Sequence, residues 1–100
     1  MSSPERNLQL AVTTWCKAQP PEGFWWFKIH GGPYQRAGVP DLLLCLQGRL
    51  VAIELKAPGA RPTALQSAEL AKLARAGAVT AVIDSMADFR SLMGRLRGGT

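Results

Sequence analysis

The sequence predicts an α/β fold in which a mixed β-sheet carries helices on its faces, and three observations point there. An apolar run at residues 50–57, a helical stretch at 63–76 and an apolar run at 78–83 form a β-α-β unit, whose two strands lie parallel. A further apolar run at 39–46 is separated from the first by Gln47-Gly48, the signature of an antiparallel hairpin. Apolar residues make up 47% of the 100 positions, which excludes intrinsic disorder, yet no run approaches the ~20 residues of a membrane span.

The elements follow in order. Residues 4–18 read as a helix with Leu8, Ala11, Val12 and Trp15 on its buried stripe. Its start is either a capping box of Ser2 and Glu5 or a Ser3 cap with Pro4 in the first turn. Pro20, Pro21 and Gly23 end it. Phe24, Trp25, Trp26 and Phe27 open a strand over residues 24–29; they read as core, which requires cover on both of its faces. Residues 30–38 form a Gly-containing loop without the spacing of a Walker or dinucleotide loop. The hairpin strands follow, then a loop at 58–62, a helix capped by Thr63 and stopped by Gly77, the strand at 78–83, and a last helix capped by Asp84 or Ser85. The stripe of the last helix is Phe89, Leu92, Met93 and Leu96. The order is αβββαβα.

A chain of this length makes one domain. Its two cysteines and one histidine exclude a disulfide framework, a four-ligand zinc site and a His-rich metal centre. No apolar leader follows Met1, and the expectation is a cytoplasmic protein without membrane contact. The net charge is +5, and eight of the twelve basic residues are Arg, a balance suited to bidentate phosphate contacts.

The chemistry concentrates in the hairpin. A two-residue turn at Gln47-Gly48 pairs Leu46 with Arg49, Leu44 with Val51 and Leu42 with Ile53, an apolar face. The next pair is Asp41 with Glu54, and Lys56 shares their face. A three-residue turn would instead set Asp41 against Leu55 and mix the faces. Directly opposed carboxylates have Cβ atoms about 5 Å apart and repel unless a cation lies between them. Mg²⁺ suits that position, since it takes oxygen ligands and often binds through one or two carboxylates. Taken alone, Glu54-Leu55-Lys56 reads as a solvated sheet face; the opposed Asp41 after Gly38-Val39-Pro40, in a chain poor in acids, reverses that reading.

Arg36-Ala37-Gly38-Val39-Pro40-Asp41-Leu42, followed by Ile53-Glu54-Leu55-Lys56-Ala57-Pro58 and a helix carrying Gln66, resembles the VRR-NUC (virus-type replication-repair nuclease) domain of the PD-(D/E)XK nuclease superfamily. The resemblance runs from Glu5 to about Phe89. It implies a single restriction-endonuclease-like domain, αβββαβ(α), with its core over about residues 5–96, and a Mg²⁺- or Mn²⁺-dependent endonuclease acting on DNA. Carried over by residue, Asp41 and Glu54 are metal ligands with the backbone carbonyl of Leu55, and Lys56 is the catalytic lysine. Glu5 matches an acid on the family's first helix, against its capping role with Ser2. Gln66 matches a helix glutamine counted with the catalytic set; it also completes a Thr63-Ala64-Leu65-Gln66 capping box.

Arg36 matches the family's loop arginine and reads as a phosphate or structural contact. Arg61, with Arg90, Arg95 and Arg97, is a free cation for DNA. Tyr34 is placed to stack on a base or pack on Pro33, and His30 is a loop histidine beside the site. Stand-alone, phage-associated domains of this kind are implied to be homodimers that act on branched DNA such as four-way junctions. Candidate dimer surfaces are Trp25 or Trp26 and the outer side of the last helix near Met86 and Met93. The rival readings are a catalytically inactive nuclease-fold DNA-binding module and a protein unrelated to nucleic acid.

Overall fold

The computed structural model describes residues 3–31 and 36–98. Helix α1 spans Pro4–Lys17, strand β1 Phe24–Lys28, β2 Leu42–Leu46, β3 Arg49–Leu55, helix α2 Ala64–Arg75, strand β4 Val79–Ile83 and helix α3 Met86–Gly98. The four strands lie in the order β1-β2-β3-β4, the first two pairings antiparallel and the third parallel. This is the mixed α/β sheet expected of the hairpin and the crossover.

The hairpin has the predicted register, with Leu46 opposite Arg49 and Leu42 opposite Ile53. Its turn has Gln47 at φ 50° and Gly48 at φ 81°. Positive φ at both central residues is the twist-matched geometry of a two-residue hairpin loop, and Gly48 supplies it without steric cost.

One sheet face carries Phe24, Trp26, Leu42, Leu44, Leu46, Val51, Ile53 and Leu55, and α1 and α3 close over it with Leu8, Val12, Cys16, Phe89, Leu92, Met93 and Leu96. Trp15 joins the layers edge-on, its ring 5.8 Å from Phe24 and 5.0 Å from Phe89. Helix α2 packs on β3 and β4 from the opposite side, where Ala52, Glu54 and Leu70 are buried.

Of the two starts read for α1, the structure has the Ser3 cap, whose hydroxyl accepts from the Arg6 amide, with Pro4 in the first turn. Two expectations change. Strand β1 is an edge strand, and α2 leaves its second face open: Trp25 and Phe27 are 55% and 53% exposed, with their rings stacked 6.2 Å apart. Met93 is buried in the core, which removes it from any partner surface. Tyr34 lies outside the described residues, as does Ser2. No described helix is long and apolar enough to cross a membrane.

Candidate metal centre

The site forms where the hairpin leaves its ladder. Leu42 opposite Ile53 is the last ladder pair, which sets Asp41 against Glu54 in the next row. Pro40 is buried ahead of it and has no N–H for the ladder, so β2 begins only at Leu42. The Asp41 backbone stays tied to the sheet through its carbonyl, which accepts from the Ile29 amide at 2.8 Å. Its side chain turns inward, and Oδ2 accepts from the Leu55 amide at 2.7 Å.

Glu54 is 2% exposed, the one buried acid among the described residues. Its Oε1 accepts from Gln66 Nε2 at 3.2 Å, while Oε2 is buried and no donor among the described residues reaches it. A buried carboxylate oxygen without a donor is costly unless a proton or a cation meets it. The Glu54 pKa is accordingly raised to about 8. Burial contributes most, followed by Asp41, through its side-chain hydrogen bonding and then its charge; Glu5 adds to the rise, and the half-buried Lys56 ammonium opposes it. Glu5 is therefore near enough for its charge to be felt at Glu54. Lys56 is fixed by its amide, which donates to the Ile83 carbonyl at 2.9 Å.

Gln66 fills both roles read from the sequence. Its Oε1 accepts from the Thr63 amide at 2.8 Å, its own amide donates to the Thr63 hydroxyl at 3.2 Å, and its Nε2 reaches Glu54. The capping box thus aims the amide group at the acid. Among the described residues no three His, Cys, Asp or Glu side chains cluster as a metal site. The donor set is two carboxylates with neighbouring backbone oxygens, the kind that suits Mg²⁺, which keeps several waters. The orphaned Oε2 fits the same group.

The segment leading to Asp41 is clamped to α2. Gly38 has φ +83°, and a Cβ there would stand 2.7 Å from the Leu65 carbonyl oxygen, so only glycine permits the contact. Arg36 pairs with Glu69 at 2.5 Å, which holds the Glu69 carboxyl below its usual range, first through the Arg36 hydrogen bond.

Solved structures described as "VRR_NUC domain" and "VRR_NUC domain protein" share this fold. The first is 24% identical with a TM-score of 0.74, covering 93% of this chain and 97% of its own. The second is 20% identical with a TM-score of 0.70, covering 95% and 88%. No family model matches the chain. "Putative nuclease p44" of Acyrthosiphon pisum secondary endosymbiont phage 1 is 42% identical over 72 residues, 66% of this chain and 76% of the phage protein. The chain belongs to the VRR-NUC nuclease family.

In this VRR-NUC chain the structure brings Asp41, Glu54, Leu55, Lys56 and Gln66 together, with Glu5 at the margin. Arg36 is engaged by Glu69 rather than free. Arg61 is exposed and His30 lies beyond the end of β1. Arg97 packs over the Trp15 ring at 5.1 Å and donates to Gln19, so it is not a loose tail cation. Glu69 was missed by sequence reasoning, and Gly38 was read there only as part of the run before Asp41, not for its close approach to Leu65. The positive φ of Gly38 has a sequence signal in the Gly-Val-Pro-Asp run, whereas Glu69 looks like any surface acid.

Proposed function

We propose that this chain is a divalent-metal-dependent endonuclease that hydrolyses DNA phosphodiester bonds. The observation that carries the reading is Glu54: a fully buried carboxylate set opposite Asp41, with one oxygen held by Gln66 and the other left without a donor. Asp41 and Glu54, with the Leu55 carbonyl, would hold Mg²⁺ or Mn²⁺. Such an ion lowers the pKa of a bound water and offsets phosphate charge. Lys56, on the same sheet face, orients a water or meets the charge on the scissile phosphate. Gln66 fixes the Glu54 rotamer, Glu5 adds negative charge at the margin, and Arg61 is available to a phosphate. Arg36, held by Glu69, acts by placing the loop; His30 stays a loop residue beside the site.

The test is a nicking assay with purified protein and each metal. Asp41→Asn and Lys56→Ala should each lose cleavage while keeping the circular-dichroism spectrum of the wild type. Wild-type rates in Asp41→Asn would refute the assignment. Metal binding with no cleavage of any DNA would favour the inactive binding module instead.

The same proposal extends to a homodimer acting on branched DNA, with four-way junctions favoured. Trp25, Phe27, Leu43, Cys45 and Leu50 share one side of the sheet that no described element covers, the two aromatics and Leu50 exposed. A contiguous apolar patch of this kind is unusual on a monomer, and aromatics concentrate at interface centres. A second copy seated there leaves the row of Asp41 and Glu54 at the rim. Two sites related by a two-fold axis would match a junction's symmetry. Sedimentation should give twice the 10.8 kDa chain mass, and Trp25→Lys should halve it. A monomeric wild type whose DNA affinity falls in Trp25→Lys would make the patch a base-stacking face instead.

A further inference from the structure

A second candidate surface lies on the other flank of β1. Helix α1 presents Arg6, Gln9, Leu10, Thr13 and Lys17 along one stripe, beside the stripe of Leu8, Val12 and Cys16 that enters the core. Facing it are Trp26, Lys28 and His30, and the groove between them has a volume of about 460 Å³. Three permanent cations and a histidine line it, and no Asp or Glu does. Among the described residues none of Arg6, Lys17 and Lys28 has an ion-pair partner; Lys28 Nζ donates only to the Ile29 carbonyl. A chain with seven acids leaves these cations uncompensated in one groove.

The groove lies on the α1 face of the sheet and runs toward the sheet end that holds the metal centre, whose Glu54 is buried under α2 on the other face. Arg6 follows Glu5, whose charge reaches Glu54, and Lys28 and His30 flank Ile29, whose amide holds the Asp41 carbonyl. From Arg6 to Lys17 the helix rises about 16 Å, enough for several nucleotides. Its lining is not only charged: Leu10 is 65% exposed, and Trp26 is half-buried with its ring available at the groove. Cations spaced along an apolar, aromatic surface suit a single strand, whose phosphates meet the charges while its unpaired bases rest on the ring and the aliphatic side chain.

We infer that the α1–β1 groove binds a single-stranded segment of nucleic acid next to the metal centre, the strand splayed from a flap or branch. The inference rests on the nuclease reading and extends it to which strand the enzyme holds, and where. It also gives a small domain a way to distinguish branched from continuous DNA.

The experiment compares a flap with a long single-stranded arm and a blunt duplex of equal length. Binding is measured in Ca²⁺ over a range of salt, and cleavage in Mg²⁺. Three separated phosphate contacts on a single strand should contribute about 2 to the log–log salt slope, at about 0.7 each. The triple variant Arg6→Ala/Lys17→Ala/Lys28→Ala should lose that much slope on the flap and none on the blunt duplex, with its thermal midpoint unchanged. Arg6→Lys/Lys17→Arg/Lys28→Arg should restore the slope. An unchanged slope on the flap, with wild-type cleavage intact, would overturn the groove and leave the nuclease reading standing. An equal loss on both substrates would show contact with duplex and overturn the single-strand assignment. A wild-type protein that neither binds nor cuts DNA would remove the nuclease reading, and the groove with it.

Discussion

Glu54→Gln should make the metal-free protein more stable, and by an amount that grows with pH. The Glu54 pKa is moved from 4.5 to about 8 in the folded protein. Below pH 4.5 both folded and unfolded chains carry the proton, and the group costs nothing. Above 4.5 the unfolded chain ionises while the folded one retains its proton, so stability falls progressively until about pH 8 and then levels. At about 1.4 kcal/mol per pKa unit, the full loss is about 4 to 5 kcal/mol, a large share of the ~5–15 kcal/mol that holds a small domain together. The amide in Glu54→Gln resembles the protonated acid: its oxygen still accepts from Gln66, and its NH₂ offers Asp41 a donor. Urea titrations followed by circular dichroism in EDTA, from pH 5 to pH 9, read the difference directly, because every other titrating group is common to both proteins. The curves should nearly coincide at pH 5 and diverge by several kcal/mol at pH 9. Adding Mg²⁺ at pH 8 should raise the wild type and leave the variant little changed. Curves that stay parallel across the range would refute the argument that Glu54 is buried against Asp41 with an uncompensated charge.

Gly38→Ala should destabilise the fold by about 2 kcal/mol and lower activity, since it meets both the positive φ and the Leu65 carbonyl; Gly59→Ala, with the same φ sign but open space around it, should cost only about 1 kcal/mol in the same melts. Gln66→Ala should lose about 1 kcal/mol with the capping box and weaken metal binding at neutral pH, because Glu54 loses its one donor among the described residues; isothermal titration at pH 7 checks this, and unchanged affinity would dissociate Gln66 from the site. In the Trp25→Lys monomer, iodoacetamide at pH 8 should label Cys45 well before Cys16, whose buried thiol is pushed from 9.0 to about 12, a roughly thousandfold smaller thiolate fraction than that of an ordinary thiol; mass spectrometry showing equal labelling would contradict that burial.

The hairpin register and the carboxylate pair were legible because alternation leaves a two-residue turn as the one choice that keeps Leu42, Leu44, Val51 and Ile53 on a single face. The crossover was legible from Thr63 and Gly77, which mark the helix ends with local chemistry. Strand β1 was not. Apolar residues on both sides of a strand say that both sides are dry somewhere, but whether a helix of this chain or another molecule covers Trp25 and Phe27 depends on the strand's place at the sheet edge. Arg36 and Glu69 lie 33 positions apart, and no local pattern announces their pairing. The cations of the α1–β1 groove were passed over for a similar reason. Arg6 and Lys17 look like solvated helix residues until Lys28 is set opposite them.

The turn at Gln47 and Gly48 sits at the exposed end of the sheet, where chains ordinarily accept insertions. In this protein its length is coupled to chemistry six residues away along either strand. Were a two-residue turn to re-form around one added residue, Asp41 would move from Glu54 to Leu55 or Ile53, and the side chains of one strand would change faces relative to the other. The turn touches no metal and no substrate, yet its two-residue geometry is what sets the two carboxylates opposite each other. Grafted peptides, tags or reporter loops therefore belong between β3 and α2, at residues 58–61, where added length shifts no register.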